Sequence, residues 1–150
     1  MNRKSVFHIA AVLILALALI VSCSGAIYVP DRLNTPAWLN GTWTGTIQGA
    51  PIEIRVDNGL LIMTMAGDEQ NFTANMKNLS EFLTSFSESS SDSEYSVRYS
   101  VTYPEYGYSQ RSIMTITKLT DTTANMALMN YSGEVPDATG TVSCTLTKAN

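Results

Sequence analysis

The chain has 150 residues, with nine basic and thirteen acidic side chains, one histidine and two cysteines. That length supports one small domain with a real core, not two. The excess of acid over base excludes a nucleic-acid interface, which needs a basic surface.

Arg3 and Lys4 precede an unbroken apolar run of thirteen residues, Ile9 to Val21, and small Ser22 then precedes Cys23. This is the three-zone layout of a secretory signal. Wound as a helix, the run spans only about 20 Å, short of the roughly 30 Å core of a bilayer. Residues 1–22 therefore read as a cleaved leader, not a transmembrane helix. The Ile20-Val21-Ser22-Cys23 ending resembles the lipobox of bacterial lipoproteins. The resemblance implies that Cys23 receives a diacylglyceryl group, that the leader is cut just before it, and that the new amine is acylated. Each buried CH₂ contributes about 0.8 kcal/mol, so two or three chains hold a protein on a membrane with negligible release. Ser24 follows, where retention at the inner membrane is often signalled by aspartate. The resemblance thus implies the outer membrane of a bacterial cell envelope.

Without the leader, seven basic and thirteen acidic residues remain, a net charge of −6. That balance disfavours adhesion to anionic lipid through the protein surface itself. The one histidine, His8, leaves with the leader. Neither a Ser-His-Asp nor a Cys-His relay can then form, and a zinc site would lack its usual ligands. No glycine-rich phosphate loop is present, and the scattered acids single out no catalytic pair. The expectation is a non-catalytic protein with no metal and no cofactor. Cys144, without a histidine to activate it, reads as a small buried hydrophobe.

Residues 23–36 read as a lipidated cysteine and a tether, since Pro30, Asp31, Asn34 and Pro36 carry no periodicity. Residues 37–150 then read as a single β domain. Thr42 to Gln48 alternates, and Ile52, Ile54 and Val56 alternate with Glu53, Arg55 and Asp57, the pattern of a half-buried strand. Asp57-Asn58-Gly59 supplies the positive φ angles of a tight hairpin, and Leu60 to Met65 returns. Phe72, Ala74 and Met76 alternate as a further strand. Leu79, Phe82, Leu83 and Phe86 fall at i, i+3, i+4 and i+7, which predicts a short helix capped by Asn78. Ser87 to Glu94 reads as a polar loop. Tyr95, Val97, Tyr99, Val101 and Tyr103 share one face of the most regular strand. Pro104 to Ser109 turns, and Ser112–Leu119, Thr123–Tyr131 and Thr141–Thr147 complete eight strands. Short turns without crossovers make the strands antiparallel, and closure into an up-and-down barrel removes the sheet edges. A two-sheet β-sandwich is the alternative.

Pro36-Ala37-Trp38-Leu39-Asn40-Gly41-Thr42-Trp43 has the form P-x-W-x-x-G-x-W at the start of the first strand. It resembles the lipocalin and wider calycin group, and the openings of small bacterial lipoproteins with lipocalin-like domains. The resemblance implies that Trp43 seals the closed end of a barrel beneath a basic residue of the last strand, a part that Lys148 could take. An eight-stranded interior either fills with side chains or holds one small ligand. For a small apolar or amphipathic ligand, the lining candidates are Trp43, Met63, Met65, Phe72, Tyr95, Tyr99, Met114 and Met126, with flexible thioethers suited to varied apolar shapes. Tyr106 and Tyr108, on the following turn, are candidates for docking an envelope or host protein. That second reading pairs with a filled barrel. The membrane partner in either case is reached through the lipid on Cys23.

Overall fold

The computed structural model describes residues 27–132 and 140–149. The leader and Cys23 lie outside the described residues. Nine strands form one antiparallel sheet: β1 Gly41–Ile47, β2 Ala50–Asp57, β3 Leu60–Met65, β4 Asp68–Asn71, β5 Leu83–Ser90, β6 Glu94–Tyr103, β7 Tyr108–Lys118, β8 Thr123–Ser132 and β9 Thr141–Lys148. Their spatial order is β4-β3-β2-β1-β9-β8-β7-β6-β5. Two runs of hairpins are thus joined where β1 meets β9, through Trp43 opposite Lys148 and Thr44 opposite Thr147. Among the described residues the fold is all-β with one short α-helix, α1 (Phe72–Asn78). All nine strands belong to one curled sheet, so the sandwich alternative falls.

Among the described residues the strand count is nine, not eight: Asp68–Asn71 pairs as a strand of its own, and strand and helix exchange places between residues 72 and 90. Phe72–Met76 is helical. Asn71 caps it, its side chain accepting from the Ala74 amide at 3.1 Å, which satisfies one of the open donors of the first turn. The helix presents Phe72, Thr73 and Met76 inward. The segment expected to be helical instead forms β5. Its ladder with β6 slips between Leu83 and Ser85. A bulge adds one residue to a strand, so Leu83 and Phe86, three apart, both turn inward. Spacing that mimics a helical face is here a bulged strand. Ser87–Ser90 continues that strand, because the amides and carbonyls of β6 need partners.

The two edges are β4 and β5, and no ladder closes the sheet between them. The opening is covered in other ways. Strand β4 has only four residues, and short edges resist wrong pairing. Helix α1 crosses the gap. So does the N-terminal segment, which the composition reads as a tether. From Ile27 onward it lies on the domain, with Val29 buried beside Met76, Leu83 and Val101, and Leu33 in the main core. Asp31 pairs with Lys77 of α1, whose ammonium holds the Asp31 carboxyl below the usual carboxylate range. The Leu33 amide donates to the Gly59 carbonyl at 2.8 Å, and Arg32 donates to the Asn58 carbonyl at 3.0 Å. Only residues before Ile27 remain for a tether.

The β2–β3 turn follows its sequence chemistry. Asn58 and Gly59 take φ of 45° and 83°, the paired positive angles of a two-residue hairpin. A Cβ on Gly59 would also meet the Leu33 carbonyl at 2.2 Å. Gly59→Ala should therefore displace the N-terminal segment as well as strain the turn. The expected loss is about 2 kcal/mol, read as a lowered urea midpoint. A stability equal to wild type would show that the segment contributes nothing.

Candidate functional site

Alternation along β1, β2, β6, β7, β8 and β9 sends one apolar set inward. Leu39, Trp43, Ile54, Leu61, Tyr95, Val97, Ile116, Met126 and Leu146 are fully buried and belong to one cluster. The curled sheet is therefore wrapped round packed side chains. Of the residues expected to line a ligand cavity, Trp43, Tyr95, Met114 and Met126 are parts of this core. The Tyr95 hydroxyl donates to Glu88 Oε1 at 2.7 Å. Burial, then the bond to Glu88 and its negative charge, push the Tyr95 phenol above its ordinary pKa.

Trp43 also lies at the end of the sheet where β1 begins. A 3₁₀ turn, Ala37–Leu39, precedes it, and its indole Nε1 donates to the Leu39 carbonyl at 2.8 Å. Trp38 meets it edge-on, centroids 6.2 Å apart, and donates to the Ser91 carbonyl at 3.0 Å. That bond links the N-terminal turn, which leads into β1, to the β5–β6 turn. The Lys148 ammonium stands 5.1 Å from the Trp43 ring centroid and donates to the Trp38 carbonyl at 3.2 Å. The geometry is that of a cation on an aromatic face. We call this end, with the Ala37–Leu39 turn, the Trp43 end.

A recess with a mainly apolar lining opens on the seam between the unpaired edges. Its volume is about 240 Å³, and its lining is Met63, Gln70, Phe72, Asn75, Met76, Leu79 and Tyr99. Met63 and Gln70 come from β3 and β4, Tyr99 from β6 across the gap, and the rest from α1 and its C-terminal cap. Phe72 and Tyr99 meet edge-to-face at 5.9 Å. The Asn75 amide donates to Gln70 Oε1 at 2.6 Å, which sets a polar pair among the apolar walls. Three of the expected ligand residues, Met63, Phe72 and Tyr99, are thus brought together. Met65 is not: at the end of β3 it is 42% exposed. Sequence reasoning left Gln70, Asn75 and Leu79 out of the site, although Phe72, Met76 and Leu79 stand at i, i+4 and i+7, a helical signature.

At the end opposite Trp43, Tyr106 and Tyr108 are 80% and 41% exposed. A 3₁₀ turn, Pro104–Tyr106, carries Tyr106 out from the sheet, while Tyr108 begins β7 and stacks on Tyr103 at 6.3 Å. Cys144 is half-buried on β9, and burial pushes its thiol pKa up, the direction of an unreactive sulfur. Among the described residues no helix is long and apolar enough to cross a membrane. Comparison with protein-family models, with curated proteins and with solved structures finds no match to this chain.

Proposed function

We propose that the chain is a lipid-anchored, lipocalin-like protein of the bacterial cell envelope, held through Cys23, that binds the apolar part of a small amphipathic ligand without catalysis. The binding place is the seam recess, not the sheet interior. The observation that carries this reading is the convergence of Met63, Phe72 and Tyr99 on one hollow at the gap between β4 and β5. Lys148 over Trp43 supports the lipocalin-like part, because that pairing follows from the P-x-W-x-x-G-x-W opening. A hollow of 240 Å³ lies below the roughly 300–1,000 Å³ usual for ligand pockets. It suits one ring or a short alkyl segment. About six methylenes at ~0.8 kcal/mol each give ~5 kcal/mol, a dissociation constant on the order of 0.1–1 mM.

The test is titration of the chain from Ser24 onward with an environment-sensitive probe bearing a short alkyl tail. Sub-millimolar saturation is expected. Asn75→Trp fills the recess and should weaken binding about tenfold or more, the loss of roughly 1.4 kcal/mol or more. Met65→Ala, outside the recess, should leave it unchanged. Binding indifferent to Asn75→Trp would remove the site. The exposed Tyr106 and Tyr108 favour a second role, a docking surface at their end of the sheet.

A further inference from the structure

We propose that the end of the domain bearing Tyr28, Tyr106 and Tyr108 rests on the lipid surface, so that the anchor holds the protein in one orientation. The inference rests on the acylation of Cys23 and goes beyond it. Its first ground is chain length. Three residues, Ser24 to Ala26, lie between Cys23 and Ile27, and the four Cα-to-Cα steps cover at most about 14 Å when fully extended. Ile27 is already fixed: it packs against the cluster of Val29, Met76, Leu83 and Val101. The anchor therefore has no slack to let the domain tumble.

The second ground is where that cluster lies. The N-terminal segment starts beside it and runs toward the Gly59 turn, where the Leu33 amide bonds. Gly59 is at the Trp43 end, since Gly41 pairs with Val56 near the close of β2. Ile27 consequently leaves the domain on the other side. Tyr103 packs on the same cluster and stacks on Tyr108. Phe82 lies 4.8 Å from Tyr103. An aromatic run thus continues from the anchored terminus to the β6–β7 turn.

The third ground is chemistry. Tyr28 and Tyr106 are 79% and 80% exposed, beyond what packing requires. Tyrosine has an apolar ring and a polar tip, which suits the boundary between headgroups and acyl chains. Only Glu105 is charged within the Pro104–Tyr106 turn. The net charge of −6 after leader removal gives no general attraction to anionic lipid. The occupant we assign is accordingly the interfacial zone of a bilayer, reached by rings and not by basic residues. The seam recess opens between Phe72, Leu79 and Tyr99, which pack on this same cluster, so a docked domain meets amphipathic molecules at membrane concentration.

The experiment uses the full chain, expressed in a host that processes lipoproteins and reconstituted into phosphatidylcholine vesicles. Palmitate incorporation first reports Cys23. In a Cys144→Ser background, a polarity-sensitive dye is placed by Glu105→Cys or by Asp121→Cys. Asp121 lies in the β7–β8 turn, at the far end of an eleven-residue strand, about 35 Å away. Headgroup-quencher lipids should quench the dye at 105 several-fold more than at 121. Tyr28→Ser/Tyr106→Ser/Tyr108→Ser, all exposed sites, should cut the quenching at 105 by more than half. Equal quenching at both positions on an acylated protein overturns the docking and leaves the anchor standing. An unacylated Cys23 overturns both. A photocrosslinker at Tyr106 that captures one protein, with the dye at 105 unquenched, replaces lipid by a protein partner and also overturns the proposal.

Discussion

Trp43→Ala is expected to destabilise the domain by about 4 kcal/mol, the middle of the range for a buried aromatic cut back to a methyl. Three contributions stack at this residue. The side chain is fully buried in the main core. Its N–H satisfies the Leu39 carbonyl. Its ring bears the Lys148 ammonium, which in turn binds the Trp38 carbonyl. Those contacts tie the first strand, the last strand and the N-terminal turn together where β1 and β9 pair over only two positions. Against a total stability of roughly 5–15 kcal/mol, the loss leaves a marginal fold. Urea unfolding should show a much lower midpoint. Two milder variants divide the effect. Trp43→Phe keeps a ring and removes the donor, at about 1–3 kcal/mol for an unmet carbonyl and lost area. Lys148→Met removes the cation, at about 1 kcal/mol. A double-mutant cycle should return a coupling of about 0.5–1 kcal/mol. Strict additivity would mean that the ammonium and the ring merely lie side by side.

The parts of this architecture that could be read ahead are those where one residue has one job. In β2, Ile52, Ile54 and Val56 are buried, and Arg55 and Asp57 exposed, because an undisturbed strand sends alternate side chains to opposite faces. The Asn58-Gly59 turn was legible for a similar reason: few residues accept two positive φ angles in succession. Misreading began where a bulge reset the period. Leu83 and Phe86 share a face only because β5 carries an extra residue, and spacing alone cannot separate that from a helical turn. The site suffered most from this. A recess built by α1 and two unpaired edges depends on where the helix lies and on the sheet failing to close, and neither is written in the residues that line it. The N-terminal segment was missed differently. Val29 and Leu33 are single apolar residues among prolines and polar side chains, so no period announces their burial. The Lys148 ammonium over Trp43 was reached only through the resemblance carried by the P-x-W-x-x-G-x-W opening, not through residue type or period.

Alkaline pH is expected to unfold the domain through Tyr95. The phenol is held above its ordinary pKa by burial first, then by the hydrogen bond to Glu88 and the charge of that carboxylate. In the unfolded chain a tyrosine ionises near pH 10. Below that pH both states hold the proton, and the contribution of Tyr95 is complete. Above it the unfolded state alone releases the proton. Each further pH unit then favours unfolding by about 1.4 kcal/mol. By pH 12 roughly 3 kcal/mol should be gone. The half-buried Cys144 thiol is shifted upward as well and adds a loss of the same sign, so the comparison belongs in Cys144→Ser protein. There, Tyr95→Phe should be less stable than its parent at pH 7 by about 1–2 kcal/mol, for the lost bond to a carboxylate. Having no proton to lose, it should fall less steeply above pH 10, and the two stability curves should cross before pH 12. Parallel curves from pH 7 to 12 would mean that the Tyr95 hydroxyl reaches water in the folded protein, and the bond to Glu88 would then have little hold on the β5 edge.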